Sequence, residues 1–273
     1  MISSEIKELA QDLRVDIVEM IGQAKSGHPG GSLSCIDILT CLYFGNIMKL
    51  EGDERDRFIL SKGHAAPALY ATLARAGFFD SSELKTLRKL GSNLQGHPDM
   101  HKCKGVEVST GSLGQGLSIA CGEALGFKID GSAQTVFTLL GDGECQEGQV
   151  WEAVMFAAQN KLDNLIAIID CNGLQIDGKL DSVVSLGDIR SKFESFGWKV
   201  FDVDGHNIDE LCEVLVSAKS DKCGTPKCLI AKTVKGKGVS FMENEAGWHG
   251  KAPNDEQVSA AVAELKRKDR YEV

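Results

Sequence analysis

The sequence predicts an α/β protein, a doubly wound parallel sheet flanked by helices, and three observations carry that expectation. Two apolar runs of strand length, residues 135–140 (TVFTLL) and 165–170 (LIAIID), show no alternation, as in strands covered on both faces. Segments with helical apolar spacing separate the candidate strands, so β and α elements alternate along the chain. Glycine-bearing loops follow the strands: Lys62-Gly63-His64, Gly141-Asp142-Gly143 and Asp170-Cys171-Asn172-Gly173.

Element by element, a first helix starts from a cap at Ser3 or Ser4 and carries the stripe Ile6, Leu9, Leu13, Ile17, Met20 and Ile21. Gly27-His28-Pro29-Gly30-Gly31 ends it, and Ser34 opens a second helix through about residue 44. A short strand is expected over 57–61, then a helix to about 76 and another over 82–90. Residues 106–109 read as a strand entering Gly111-Ser112-Leu113-Gly114-Gln115-Gly116, with a helix beyond to about 128. After the 135–140 strand the expected order is helix 148–159, strand 165–170, helix 187–196 and strand 198–202. Helix 208–219, strand 227–233 and a charged helix over 254–268 complete it. No repeat, low-complexity tract or Pro/Ser-rich linker interrupts the pattern, so one domain over 1–273 is expected.

At 273 residues, 42% of them hydrophobic, the chain can bury a large core. A net charge of -9 with no long basic run argues against nucleic acid or an anionic membrane as partner. No apolar run approaches membrane-spanning length, and residues 1–24 carry acids and a helical stripe rather than a secretory leader. The nine cysteines form no C-x-x-C pair, and Cys35, Cys41, Cys121 and Cys212 sit inside apolar helical patterns. They read as free thiols of a soluble cytoplasmic protein. An anionic ligand would then be held locally, by N–H groups, a metal and a few side chains.

Right-handed crossovers put the loops after parallel strands at one carboxyl edge, where Asp142 and Asn172 can converge on one hard cation. A carboxylate, an amide oxygen and a backbone carbonyl suit magnesium or calcium, with phosphate oxygens completing the shell. The flanking glycines let N–H groups approach a diphosphate. Gly-Asp-Gly alone is an ordinary turn; the strand–helix–strand setting favours the ligand reading. Five of six histidines adjoin a glycine: His28, His64, His97, His206 and His249, but not His101. Singly each reads as a loop bystander. Gathered at one edge they could serve an anionic, hydroxyl-rich substrate, because imidazole donates or accepts protons near neutral pH.

Gly-Asp-Gly followed some thirty residues later by Asn, with a strand on each side, resembles the thiamine-diphosphate signature. The string over 141–153 (GDGECQEGQVWEA) is similar to transketolase in particular. That resemblance implies that Asp142, Asn172 and the Leu174 carbonyl hold Mg2+, with Ca2+ or Mn2+ as substitutes, and that this ion carries the cofactor's diphosphate. Gly143 and Ile176 are implied to lie at the cofactor, and Glu147 near its aminopyrimidine. A first-turn acid complementing the helix dipole is the simpler account of Glu147.

The settings of His28 (SGHPG), His64 (SKGHA), His97 (QGHPD) and His249 (GWHGK) resemble the same family. There, such histidines line the channel to the thiazolium, and His64 and His249 also lie near the diphosphate. His206, in VDGHN, matches a family string without an implied catalytic role; capping by Asn207 or Asp204 is its simpler account. The 110–116 loop implies Gly111 at the pyrimidine and Leu113 against the thiazolium, although many family members carry proline where Ser112 stands. Lys235 is implied beside the diphosphate, with a surface lysine as the alternative.

The resemblance runs from about residue 10 to 255 and covers the first of three domains of a full-length transketolase. It implies transfer of a two-carbon ketol unit from a ketose phosphate to an aldose phosphate. It also implies a separate C-terminal subunit that completes the site, in an α2β2 assembly, with no activity for this chain alone. The alternatives are a transketolase-like enzyme for an unusual pentose phosphate such as apulose phosphate, or a subunit of a deoxyxylulose-phosphate synthase or 2-oxo acid dehydrogenase. A non-catalytic assembly or regulatory subunit, or a piece of one longer chain, are the others.

Overall fold

The computed structural model describes residues 2–267. Helices α1 (Ser3–Ala24) and α2 (Pro29–Phe44) precede strand β1 (Arg57–Leu60), and a 3₁₀ turn at Gly63–Ala65 opens α3 (Ala66–Arg75). Next come α4 (Gln115–Ile129), β2 (Val136–Gly141), α5 (Gly148–Gln159) and β3 (Leu165–Cys171). A small hairpin, β4 (Leu174–Gln175) with β5 (Gly178–Lys179), leads to α6 (Leu180–Val183) and α7 (Ile189–Ser195). The chain closes with β6 (Lys199–Asp204), α8 (Ile208–Ser220), β7 (Lys227–Lys232) and α9 (Asp255–Leu265).

The main sheet has the order β1-β2-β3-β7-β6 with every pairing parallel. Because successive side chains point to opposite faces, β2 feeds two cores. Phe137 and Leu139 join Leu13, Leu39, Leu69 and Leu211, from α1, α2, α3 and α8, on one face. Val136 and Leu140 join Leu117, Val150 and Phe193, from α4, α5 and α7, on the other. The unalternating apolar strands therefore lie under helices on both sides, as the sequence pattern predicts. The chain leaves β1 toward α3 and leaves β2 toward α5, on opposite faces, which opens a crevice at the carboxyl edge. Among the described residues no helix is long and apolar enough to cross a membrane.

Several expected boundaries shift, each for a local reason. The cap of α1 is Ile2, not a serine; its N–H donates to Glu5 Oε2 at 3.0 Å. Helix α2 begins at Pro29, five residues before Ser34, since proline suits the first helical position. Its two glycines are tolerated because other groups press on them: a Cβ at Gly30 would lie 3.0 Å from Lys235 Cγ, and one at Gly31 3.1 Å from His64 Nε2. Instead of a helix over 82–90 there is a 3₁₀ segment, Ser81–Thr86, and Arg88 takes the left-handed region at φ 58. Residues 106–109 join no sheet; Glu107 instead pairs with Arg55 and Arg57. The terminal helix is more than a charged surface rod: Ala261 and Leu265 are buried, and α9 packs on α1. The last residue expected in it, 268, lies outside the described residues.

Gly236 shows how tightly the loop after β7 is drawn in. It sits at φ +77, and a Cβ there would stand 2.4 Å from the Met242 carbonyl oxygen. Gly236→Ala is expected to lower unfolding stability by about 1–3 kcal/mol. Urea titration would measure it, and a loss under about 0.5 kcal/mol, the range of an unremarkable surface change, would contradict this packing.

Candidate active site

A buried ion pair underlies the carboxyl edge of the sheet. Asp170 ends the apolar run of β3 with no exposure, and Lys62 follows β1 with 1%. The Lys62 ammonium donates to Asp170 Oδ2 and, at 2.9 Å, to the Gly31 carbonyl at the start of α2. Ser34 Oγ donates to Asp170 Oδ2 at 2.5 Å, and Thr233 Oγ1 donates to Oδ1. Burial works to raise the Asp170 carboxyl, but Lys62 and these hydrogen bonds bring it below the usual range.

Asp142 follows β2 and is 5% exposed. Its Oδ1 accepts from the Gly143 N–H at 2.7 Å and its Oδ2 from the Gly173 N–H at 2.6 Å, so it stitches the loop after β2 to the loop after β3. Burial pushes this carboxyl up to about 6; the two N–H bonds oppose that and nearby Asp170 adds to it. Asn172 Oδ1 accepts from the Leu174 N–H at 3.1 Å, forming a tight turn, and the Leu174 carbonyl accepts from Lys235 Nζ at 3.3 Å. Lys235 is no surface lysine. It is 2% exposed, donates to His249 Nδ1 at 2.9 Å, and is lowered to about 8 by burial and by Lys62.

One carboxylate, one amide oxygen and one main-chain carbonyl thus belong to adjoining turns, a donor set that suits a hard, oxygen-preferring cation. Among the described residues, no group of three or more His, Cys, Asp and Glu side chains is arranged to hold a metal. An ion here would therefore depend on the Asn172 and Leu174 oxygens as well as on Asp142. Ile176 lies at the hairpin turn, 68% exposed.

The glycine loop over 110–116 comes against the same edge. Thr110 Oγ1 donates to the Leu60 carbonyl at 2.7 Å. Gly111 adopts φ +141 where a Cβ would lie 2.9 Å from His97 Cγ, so only glycine fits without displacement. Buried Glu144 fastens three loops: it accepts from Ser61 Oγ, from the Gly114 N–H at 2.9 Å and from the Gly141 N–H at 3.0 Å. Leu113, next to Gly114 in sequence, is half-buried. Glu147 is exposed at the cap position of α5, makes no side-chain cap bond, and has its Cβ against Gly114.

Four histidines gather above this floor. The His28 ring centroid lies 5.5 Å from those of His64 and His249 and 6.1 Å from that of His97; His64 and His249 are 5.0 Å apart. Arg88 reaches the cluster from its left-handed turn, donating to His28 Nδ1 at 3.3 Å and to Ser26 Oγ at 3.0 Å. Arginine and charged lysine are donors only, so Nδ1 of His28 and Nδ1 of His249 are acceptors and the ring proton of each sits on Nε2. Burial, then Arg88, His97 and Lys235, lower His28 to about 4. Burial, then Lys235, His28 and Lys62, lower His249 to about 3. His64 falls well below its ordinary value through burial and Lys62, and His97, at the exposed rim, falls through burial and Arg88. The cluster is a set of neutral imidazoles that can offer N–H groups to hydroxyl and carbonyl oxygens.

His206 and His101 stay outside it. His206 bonds Asp37 and the Val234 N–H, while the His101 N–H donates to Asp99 Oδ1. Asn207 caps α8, as the capping account has it. Lys62, Asp170, Glu144 and Arg88 were not singled out from the sequence. A polar residue closing an apolar strand, as Asp170 closes LIAIID, was the available signal for one of them; Arg88 left none.

The sequence profile of the family described as "Transketolase, thiamine diphosphate binding domain" matches residues 5–272. The chain is 43% identical over 268 residues to a 6-deoxy-6-sulfo-D-fructose transketolase subunit of Clostridium sp. (strain MSTE9), covering 96% of this chain and 97% of that one. It is 44% identical to one of the subunits of the apulose-4-phosphate transketolase of Phocaeicola vulgatus, covering 92% and 90%. Against the transketolase of Homo sapiens identity is also 44%, but the match spans 95% of this chain and 42% of that one. The crystal structure of transketolase from Campylobacter jejuni superposes with a TM-score of 0.90 at 34% identity, over 97% of this chain and 43% of that one.

Two measurements bear on this geometry. Asp170→Ala leaves the Lys62 ammonium buried without its carboxylate, and a loss of about 3–5 kcal/mol in urea unfolding is expected; a loss near zero would mean that the pair is solvated. In an NMR titration of the folded chain, His28 and His249 are expected to stay neutral from pH 8 down to about 5 and to take up protons near about 4 and about 3. Midpoints at the ordinary imidazole value would contradict the crowded, cationic setting.

Proposed function

The chain belongs to the transketolase family, in its thiamine-diphosphate-binding domain, and from that premise we propose that it is one subunit of a two-chain transketolase. The enzyme would move a two-carbon ketol unit from a ketose phosphate to an aldose phosphate, with the rest of the active site on a separate C-terminal subunit in an α2β2 assembly. When bound, thiamine diphosphate supplies the electron sink for carbon–carbon cleavage. The observation that carries this reading is the Asp142–Gly173 stitch: it places the Gly-Asp-Gly and Asn turns side by side beneath a cluster of neutral histidines.

In this reading Asp142, Asn172 and the Leu174 carbonyl hold a magnesium ion, with calcium or manganese able to replace it. The Gly143 N–H and Lys235 face the diphosphate, Gly111 and Leu113 support the cofactor rings, and Ile176 borders the cofactor from the hairpin. Glu147, at the exposed start of α5, meets the aminopyrimidine side. His64 and His249 serve both cofactor and substrate. His28 and His97 direct N–H groups at sugar oxygens and hold or move protons there. Arg88 and Lys235, each donating to a ring nitrogen, keep His28 and His249 in one tautomer for that work.

Support for a partner chain comes from two relatives that are themselves named as subunits and whose lengths this chain spans by 97% and 90%. The same two names favour a second reading of the substrate: a dedicated sugar, such as apulose 4-phosphate or a sulfonated fructose, rather than the pentose phosphates of central metabolism. We place the protein in the cytoplasm as one domain, with its nine free thiols suited to a reducing compartment.

Asp142→Ala and Asn172→Ala are each expected to weaken retention of thiamine diphosphate by the two-chain assembly by on the order of 100-fold in calorimetry with magnesium present. Retention unchanged in both variants would sink the metal assignment. Ketol transfer by this chain alone, supplied with magnesium and cofactor, would remove the need for a partner.

A further inference from the structure

His206 belongs to none of the machinery above, yet its imidazole is held at both ends. It follows β6 in the turn Asp204-Gly205-His206-Asn207, and that turn hugs the end of β7. The Gly205 N–H donates to the Lys232 carbonyl at 2.8 Å, and a Cβ at Gly205 would fall 2.4 Å from Thr233 Cγ2. Nδ1 of His206 lies 2.7 Å from Asp37 Oδ2, and Nε2 lies 2.8 Å from the Val234 backbone nitrogen.

The chemistry of those two neighbours assigns the proton. Asp37, 4% exposed on α2, receives two bonds from the Arg14 guanidinium of α1, at 3.0 Å on Oδ1 and 2.5 Å on Oδ2. A carboxyl gripped on both oxygens by arginine is a carboxylate and can only accept. The Val234 nitrogen is an amide N–H and can only donate. His206 must therefore carry its proton on Nδ1 and offer a lone pair from Nε2.

Val234 stands between two residues that enter the site. Thr233 Oγ1 donates to Asp170, and Lys235 Nζ donates to the Leu174 carbonyl and to His249 Nδ1. One residue further, the Gly236 N–H donates to the Gly30 carbonyl at 3.0 Å. We propose that His206 is a positioning residue: clamped by Asp37 as the Nδ1–H tautomer, its Nε2 holds the Val234 N–H and so sets the segment that carries Thr233 and Lys235 into the site. Its consequence for ligand binding rests on the reading of Lys235 as a diphosphate contact; the clamp itself does not.

Two substitutions separate an acceptor at the Nε2 position from mere bulk. In His206→Gln the amide oxygen can stand where Nε2 stood and accept from Val234. In His206→Asn the shorter amide reaches Asp37 but leaves the Val234 N–H without an acceptor. In the chain assembled with its C-terminal subunit, and with magnesium thiamine diphosphate as probe, affinity is expected to fall about tenfold or more in His206→Asn and to stay within about threefold of the wild type in His206→Gln. Equal losses in the two variants, or none in either, would overturn the proposal. The unmutated chain gives an independent reading: ¹⁵N-histidine NMR near neutral pH is expected to show Nδ1 protonated and Nε2 bare, and the opposite tautomer or an imidazolium would overturn it too. If the unmutated chain assembled with its C-terminal subunit holds no cofactor, the assigned function fails, while the tautomer measurement still decides the clamp.

Discussion

The ion pair between Lys62 and Asp170 is the constraint on which the carboxyl edge of the sheet depends. It gathers groups from the ends of β1, β3 and β7 and from the start of α2, elements far apart in sequence. Charges so deeply buried persist only with further hydrogen bonds beside the pair itself, and here Ser34 and Thr233 supply them to the carboxylate and the Gly31 carbonyl to the ammonium. The pair therefore fixes where α2 begins relative to the sheet. The position of α2 in turn fixes His28 at its cap and leaves room above Gly30 and Gly31 for Lys235 and His64. The surrounding loops are arranged about that knot.

Buried cations beside that pair let a chain with net charge -9 offer local positive charge at the site. Lys62 and Lys235 are buried against the adjacent glycines Gly31 and Gly30, and Arg88 flanks the histidines. Burial, and then repulsion from these cations, keeps the imidazoles neutral and lowers Lys235, so the positive charge is concentrated on a few groups rather than spread. Inside a low-dielectric crevice such local charge outweighs the distant surface acids, which solvent and salt screen.

Much of this was legible in the sequence because it follows from periodicity. Residues 135–140 and 165–170 are unbroken apolar runs, and both are inner strands covered on two faces. The four histidines that gather are those whose strings resemble family segments with an implied role, and His206, whose string implies none, lies elsewhere. What escaped was decided by tertiary contact. Whether Lys235 is at the surface or inside cannot be read from TVKGKG; it depends on α2 packing against the loop. The 82–90 segment has a helical stripe, but Arg88 is committed to Ser26, His28 and Gly96, and its left-handed turn breaks the helix. Val106–Ser109 has strand composition, yet it pairs with neither edge strand of the sheet, β1 or β6, and Glu107 is spent on two arginines.

The double hydrogen bonding of Asp142 has a consequence for how quickly the site can be filled. Two loops that had to close around an arriving ion would surrender conformational entropy at that moment, about 1–2 kcal/mol for each residue fixed. Here Gly143 and Gly173 are already tied to the one carboxylate, so that loss was settled when the chain folded. An incoming cation would meet a rigid cradle and would need only to shed water and use the lone pairs left on the same oxygens, so its capture would be set by diffusion and dehydration rather than by loop ordering.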